Sequence, residues 1–596
     1  MRRILLFIFM VLMTSSTLIA QEKIKFEVSF KEPQAHYVEV LMRISNIKDD
    51  VLDLRMPVWA PGSYLIREFP KNVEAFGVTA NGKAVKSEKV NKNTWRVDTK
   101  GESSVEVAYR VYAYEVSVRT SFIDASHAFL SPTGIFMFID KKLDLPAEVQ
   151  VHPHADWTSI STGLPSVEGR SNTYYSENFD VLFDSPIEVG NQDIFYFEAA
   201  GVDHEVAMVG GGNYDKERLK KDMASIVEAE TRVYGENPNE KYVFIVHNYR
   251  AGGGGLEHIN STTLGASRFA YATERGYKGF LGLVAHEYFH LWNVKRLRPE
   301  HLGPFDYSNE NYTPNLWISE GFTAYYDNHM LRRCGFYGVE EYLNILGNEI
   351  SSIENRPGNL VQSLSSSSFD AWIKQYRPDE NSYNTSVTYY TKGAIIAMLL
   401  DLRILEATKG AKRLDDVMKA MYNTYYLDKN TGFTREQFEA MANQVAGISL
   451  EDVFANVDVA APIDYNRYLN YAGLELVDLN EDKQIKTLDV RLSEREGKIM
   501  VNAVYRGGSA WDGGLNVGDE LIAIDGYRVQ DYRGDVERAL DATDVGSTLE
   551  VTIARDGKIM QLPLEVRADK QKDYHILALD NPSAGQLEIR KQWLEE

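Results

Sequence analysis

The stretch VAHEYFHLWNVK at residues 284–295 places two histidines four positions apart, with a glutamate directly after the first. Residues four apart share one face of a helix, so the imidazoles of His286 and His290 can grip a single metal ion. Glu287 is turned by about 100° from His286, which sets its carboxylate beside the metal's open coordination position. There it can take a proton from water and later return it. The spacing is the His-Glu-x-x-His pattern of zinc hydrolases. The plain alternative, two helical histidines satisfied by their neighbours, stands until a third ligand is found.

A catalytic zinc site takes three protein ligands and keeps one position open. The metzincin extension would need glycine and histidine three and six residues after His290, but Asn293 and Arg296 stand there. Downstream, NLWISEGFTAYYDNHML puts Glu320 at the start of an apolar helix. Acids favour the first turn of a helix in any case. Given the upstream motif, Glu320 is read as the third ligand of one Zn²⁺ in a His₂Glu set. Asp327 lies seven residues on, about two turns further along the same face. It could orient a ligand imidazole or be a solvated helix acid. The developing oxyanion of an attacked carbonyl also needs a donor. SVTYYTKGAIIAMLLDLRI offers Tyr389 and Tyr390 for this, and core packing would explain both equally well.

The run AGGGGLEH, residues 251–258, follows the strand-like KYVFIVHNY. It lacks the Lys-Ser/Thr ending of a phosphate loop. A strand before it and an acid after it argue against a flexible spacer. Bare backbone at Gly254 and Gly255 would let something approach it closely.

These residues need elements to hold them. Residues 21–200 read as β, with the alternation of half-buried strands in YVEVLMRIS and SSVEVAYRVYAYEVSV, and predict a β-sandwich-like domain. The period changes near Asp215, where DKERLKKDMASIVEAETRVYGE is an amphipathic helix, and residues 201–468 read as a mostly helical catalytic domain. SLSSSSFDAW is serine-rich but flanked by aromatics, so it reads as an ordered loop. Short strands and glycine turns return over residues 469–568, and residues 569–596 read as a charged tail with a short helix. The fold class is multidomain α+β.

The first residues, MRRILLFIFMVLMTSSTLIA, carry a basic start, a short apolar run and small residues up to Ala20. That is a cleavable signal peptide pattern over residues 1–20 and predicts export to the periplasm or medium, with no stable membrane span afterwards. The apolar run is shorter than the roughly 20 residues of a spanning helix. The formal net charge is −22, which repels phosphate backbones and speaks against a nucleic acid partner. Cys334 is the single cysteine, so no intrachain disulfide can form.

AGGGGLEH, HEYFHLWNVKRLRP, WISEGFTAYYD, SYNTSVTYYTKGAII and the C-terminal glycine-rich module together resemble the PDZ-bearing glycyl aminopeptidase family. These are gluzincins related to aminopeptidase N and leukotriene A4 hydrolase. The resemblance covers nearly the whole chain after the signal pattern, including PVWAPGSYLIREF in the β domain. It implies a thermolysin-like catalytic domain with zinc on His286, His290 and Glu320, and Glu287 as base. The Tyr-x-Lys-Gly element of these relatives implies Tyr390 as the oxyanion donor, with Tyr389 as the fallback. Their Gly-x-Met-Glu-Asn strand implies Glu257 as the ligand of the peptide's α-amine. Leu256 and His258 depart from the methionine and asparagine found there. GSAWDGGLNVGDELIAIDGYRV is similar to a PDZ core of the bacterial protease type. YAGLEL resembles its carboxylate-binding loop, around Ala472, Gly473 and Leu474, which implies a peptide C-terminus as a partner for the groove.

Three functions follow as expectations. The first is a zinc aminopeptidase acting on peptides with a free N-terminus and a small first residue, Gly or Ala. The second is a zinc endopeptidase to which the PDZ domain presents substrate tails. The third is a non-catalytic peptide-binding protein, which the full set of His286, Glu287, His290 and Glu320 disfavours.

Overall fold

A computed structural model describes residues 22–595. The expected signal peptide lies outside the described residues. Among them, no helix is long and apolar enough to cross a membrane.

The N-terminal region is β, as its alternation predicts. A seven-stranded sheet is built around Lys23–Ser29, Tyr37–Ser45 and Ser104–Tyr112, and two four-stranded sheets accompany it. Along Tyr37–Ser45 every second residue is buried. The inward set (Val38, Val40, Met42, Ile44) meets Leu52, Leu54 and Val97 in one apolar cluster. At about 25 cal/mol per Å² of apolar surface buried, such a two-sheet core is the main source of this region's stability.

The boundary to the next domain falls earlier than residue 200. Asp193–Ala199 pairs with Val202–Val209 and so belongs to the catalytic sheet. Strand texture continues across the junction, so alternation could not locate the change. This five-stranded sheet runs in the order Asp193–Ala199, Val202–Val209, Lys241–Tyr249, Ser261–Ser267, Gly255–Glu257. The last of these, three residues long, is an edge strand.

Helices cover the sheet. Lys216–Tyr234 buries Leu219, Met223, Ile226, Val227 and Val233 on one face; Asp215 caps its start by accepting from the Glu217 and Arg218 amides, and Gly235 closes it at φ 91°. Glu274–Phe289 carries the His-Glu-x-x-His motif and packs on Phe322–Arg333, which in turn packs on Tyr389–Thr408. The serine-rich stretch is ordered and forms the short helix Leu364–Phe369.

The PDZ region is a separate sheet with its own core of Ile499, Val501, Val551, Ile553 and Leu564. It docks on the catalytic domain through Asn384, whose Nδ2 donates to the Val504 carbonyl at 2.8 Å while its Oδ1 accepts from the Arg506 amide at 2.9 Å.

Two expectations about the C-terminal part are corrected. Ala472, Gly473 and Leu474 are not a carboxylate-binding loop. Ala472 and Leu474 are buried in the catalytic core, and Arg590 donates to the Ala472 and Gly473 carbonyls, so the backbone is already occupied. Residues 569–595 end in the expected short helix but are not a separate tail. Tyr574–Ala578 pairs antiparallel with Leu474–Asp478, so the chain leaves and re-enters the catalytic domain around the PDZ module. The helix Ala584–Leu594 then buries Trp593 completely, with its Nε1 donating to the Tyr325 hydroxyl at 2.9 Å.

Candidate metal centre and substrate cleft

His286 sits in the last turn of the Glu274–Phe289 helix and His290 at its C-cap. Glu320 comes from the π-helical turn Trp317–Gly321, which runs directly into the next helix. Such turns are rare and concentrate at functional sites. The three donors converge: His286 Nε2 to His290 Nε2 is 3.2 Å, His290 Nε2 to Glu320 Oε2 is 3.2 Å, and His286 Nε2 to Glu320 Oε2 is 3.6 Å. Tetrahedral zinc with bonds of about 2.0–2.1 Å requires donors about 3.3–3.4 Å apart, so the set fits the ion. Glu257, Glu287 and His290 also lie close enough to be considered as a donor set. The first set supplies two imidazoles, and the outer nitrogens of both are anchored. His286 Nδ1 pairs with Asp327 Oδ2 at 2.9 Å, and His290 Nδ1 meets the Asn293 carbonyl at 2.8 Å. These contacts aim the inner nitrogens at the common point.

Asn293 has a second task. Its Nδ2 donates to the Ile318 and Ser319 carbonyls at 3.0 and 2.9 Å, which ties the histidine helix to the glutamate turn. Gly321 and Gly393 let two helices touch: a Cβ on Gly321 would lie 2.5 Å from the Gly393 Cα. That contact brings the YTKG segment over the metal ligands.

The two carboxylates are pushed in opposite directions. Burial opposes ionisation of Glu320, but the His290 and His286 imidazoles outweigh it and hold the carboxyl below the usual range. Burial raises Glu287 against the pull of the same imidazoles. Glu287 is 4% exposed, and its Oε2 has no hydrogen-bond partner among the described residues. The two carboxylates thus sit in opposed electrostatic environments, the pattern that separates a cation ligand from a group able to exchange a proton.

These residues line a cavity of about 440 Å³ that also includes Gly254, Gly255, Glu257, Tyr390, Gly62 and Arg119. Tyr390 stacks on His286 with ring centroids 6.2 Å apart, whereas Tyr389 is fully buried in the core. Gly255 lies against the base: a Cβ there would be 2.2 Å from Glu287 Oε1. Glu257 is 4% exposed and closes the end of the edge strand. His258 turns away to Asp184, with Nδ1 3.1 Å from Oδ1.

Sequence reasoning missed four contributors. Gly62 holds φ +81° and approaches Glu257 so closely that a Cβ would lie 2.4 Å from its Oε1. Tyr376 pins that loop by donating to the Gly62 carbonyl at 3.1 Å, and its hydroxyl is 3.4 Å from that of Tyr390. Arg119 reaches in from the N-terminal domain and donates to the Gly255 carbonyl at 3.1 Å. Asn293 is the fourth. Gly62 lies in PVWAPGSYLIREF, which forms part of the family resemblance, but no local signal marked Arg119 or Tyr376.

The profile of the M61 glycyl aminopeptidase family matches residues 279–396, that of the Peptidase M61 N-terminal domain residues 25–191, and that of the PDZ domain residues 487–566. Among solved structures, an aminopeptidase N family protein from Idiomarina loihiensis is 30% identical with a TM-score of 0.89, over 96% of this chain and 100% of that one. More distant are a mutant M1 zinc metallopeptidase from Deinococcus radiodurans bound to a Tyr-Ser-Ala substrate and yeast LTA4 hydrolase in complex with bestatin. Each is 13% identical; the TM-scores are 0.48 and 0.44, over 74% and 76% of this chain and 95% and 70% of those. Comparison with curated proteins gives no match.

Proposed function

The chain belongs to the M61 glycyl aminopeptidase family, and from that premise we propose that it is a zinc aminopeptidase that removes a small first residue, Gly or Ala, from peptides with a free N-terminus. The observation that carries the reading is the closed end of the cleft. Gly62 packs on Glu257, and Tyr376 holds it there. With Gly62 packed against it, Glu257 bounds the cavity on that side, a placement that favours a chain entering by its terminus. A buried carboxylate at that end is complementary to an ammonium, and such a charge-assisted contact is worth about 1.5–3 kcal/mol. The same closed end weighs against the endopeptidase alternative.

His286, His290 and Glu320 would hold one zinc ion. When bound it would supply Lewis acidity at the reacting carbonyl and bring a water's pKa to about 7. The chain's own residues do the rest. The edge strand borders the cavity, with its Gly255 carbonyl already held by Arg119, and glycine at 254 and 255 lets a substrate backbone approach closely. Glu287 accepts a proton from the attacking water and returns it to the leaving amine. The Tyr390 hydroxyl donates to the oxyanion as a neutral acid. The preference for a small first residue rests on the family membership, with Gly62, Glu257 and Tyr390 among the residues lining the cavity.

The test pairs metal analysis with free and N-acetylated Gly-, Ala- and Leu-peptides. We expect one zinc per chain, cleavage of Gly- and Ala-peptides and none of their acetylated forms. Undiminished cleavage of acetylated peptides would refute the exopeptidase reading. Glu287→Gln should load zinc and remain inactive.

A further inference from the structure

Arg119 is a cation in a cavity otherwise furnished with Glu257, Glu287 and Glu320. Of its guanidinium donors, one Nη2 hydrogen goes to the Gly255 carbonyl, Nε is buried without a partner, and no described carboxylate forms an ion pair with it. Its neighbour Arg67 is served differently, by Ser63 Oγ at 2.9 Å and Glu115 at 3.9 Å. Burial opposes the Arg119 charge, while Tyr376, Tyr390, Glu287 and Glu257 favour it through space. A guanidinium fork facing a cavity with donors to spare is a receptor for a carboxylate.

Its place along the cleft says which carboxylate. If Glu257 holds the α-amine, a peptide laid along the edge strand runs from Glu257 toward Gly254. Its first peptide bond then falls beside Glu287, whose carboxyl faces Gly255. The second residue of the substrate is therefore level with Gly254 and Gly255, where Arg119 Nη1 comes within 3.6 Å of the Cβ position of Gly254. Resting on the aminopeptidase reading, we propose that Arg119 binds a carboxylate carried by the residue just after the scissile bond, and that the enzyme favours dipeptides, whose free C-terminus lies there. An acidic side chain on that residue would offer the same chemistry.

The experiment measures kcat/KM for Ala-Ala, Ala-Ala-NH2, Ala-Asp-NH2 and Ala-Asn-NH2 with the zinc-loaded wild-type enzyme, Arg119→Gln and Arg119→Lys. We expect the wild type to favour Ala-Ala over its amide about tenfold, through KM, and Arg119→Gln to reduce that ratio to about one. Arg119→Lys, which keeps the charge but not the fork, should fall between. A parallel preference for Ala-Asp-NH2 over Ala-Asn-NH2 would identify the side chain as a second source; its absence would restrict the site to the C-terminal carboxylate. A wild-type ratio near one, or an equal loss on all four substrates in Arg119→Gln, would overturn the proposal and leave the aminopeptidase reading standing. Failure of the wild type to cleave any of the four would overturn both.

Discussion

Replacing Gly255 with alanine tests the placement of Glu287 without touching a metal ligand. The added methyl carbon would lie 2.2 Å from Glu287 Oε1, 2.3 Å from Cδ and 2.4 Å from Cγ, against ordinary contacts of 3.4–4 Å. The carboxylate arm must therefore retreat by about 1 Å, a displacement that can cost about 100-fold when it moves a catalytic group. The base itself contributes about 10²–10⁴-fold, so kcat should fall by about 100-fold while KM changes far less, since Glu257 is untouched. Gly255 lies in a regular strand outside the left-handed backbone region, so alanine introduces no conformational strain there. The assay is steady-state hydrolysis of an alanyl chromogenic amide, with metal content and thermal melting measured on the same preparation. Gly253→Ala is the control, because its Cβ would meet nothing within 4 Å. Activity near the wild-type level in zinc-loaded Gly255→Ala would refute the reasoning, as would a loss that merely followed loss of metal.

Two further outcomes concern stability. Trp593→Ala should cost about 3–5 kcal/mol in urea unfolding of the catalytic domain, because it empties a fully buried site and removes the bond to Tyr325; a cost below about 1 kcal/mol would return the last helix to the status of a tail. Lys392 is buried with Nζ 2.7 Å from Asn359 Oδ1, and burial lowers its pKa from 10.5 to about 8. Between those values the unfolded chain keeps a proton that the folded chain has released, so stability gains as pH rises through that window. Unfolding free energies of wild type and Lys392→Met, compared at pH 8 and 10, should shift relative to each other in favour of the wild type at the higher pH; a constant difference would contradict the assignment.

The candidate metal centre was legible because its information is local. His286, Glu287 and His290 are fixed relative to one another by helix geometry alone, and Glu320 is recognisable at a helix start once two ligands are known. The β character of the first region and the amphipathic Lys216–Tyr234 helix were legible for the same reason: a period of two or of 3.6 is written along the chain. The choice between Tyr389 and Tyr390 was not open to spacing, since adjacent residues point different ways and only packing tells which way is inward. The structure turns Tyr390 to the cavity because Gly393 and Gly321 bring their helices into contact.

What the sequence determined by itself was the chemistry on offer: a helix with two candidate metal ligands and a candidate base, a candidate third ligand, and a glycine strand ending in Glu257. Tertiary structure alone decided the shape of the space around it. The closing of the cleft by Gly62, the clamp by Tyr376 and the cation Arg119 come from segments far from the motif. The positions of Gly62 and Arg119 depend on how the N-terminal domain docks, and no periodicity records that. The C-terminal part shows the same limit from the other side. YAGLEL and the charged last segment read locally as a loop and a tail, yet Leu474–Asp478 pairs with Tyr574–Ala578 and Trp593 fills the catalytic core. A contact between residues a hundred positions apart is set by the packing of whole elements, and it becomes visible only when the chain is folded.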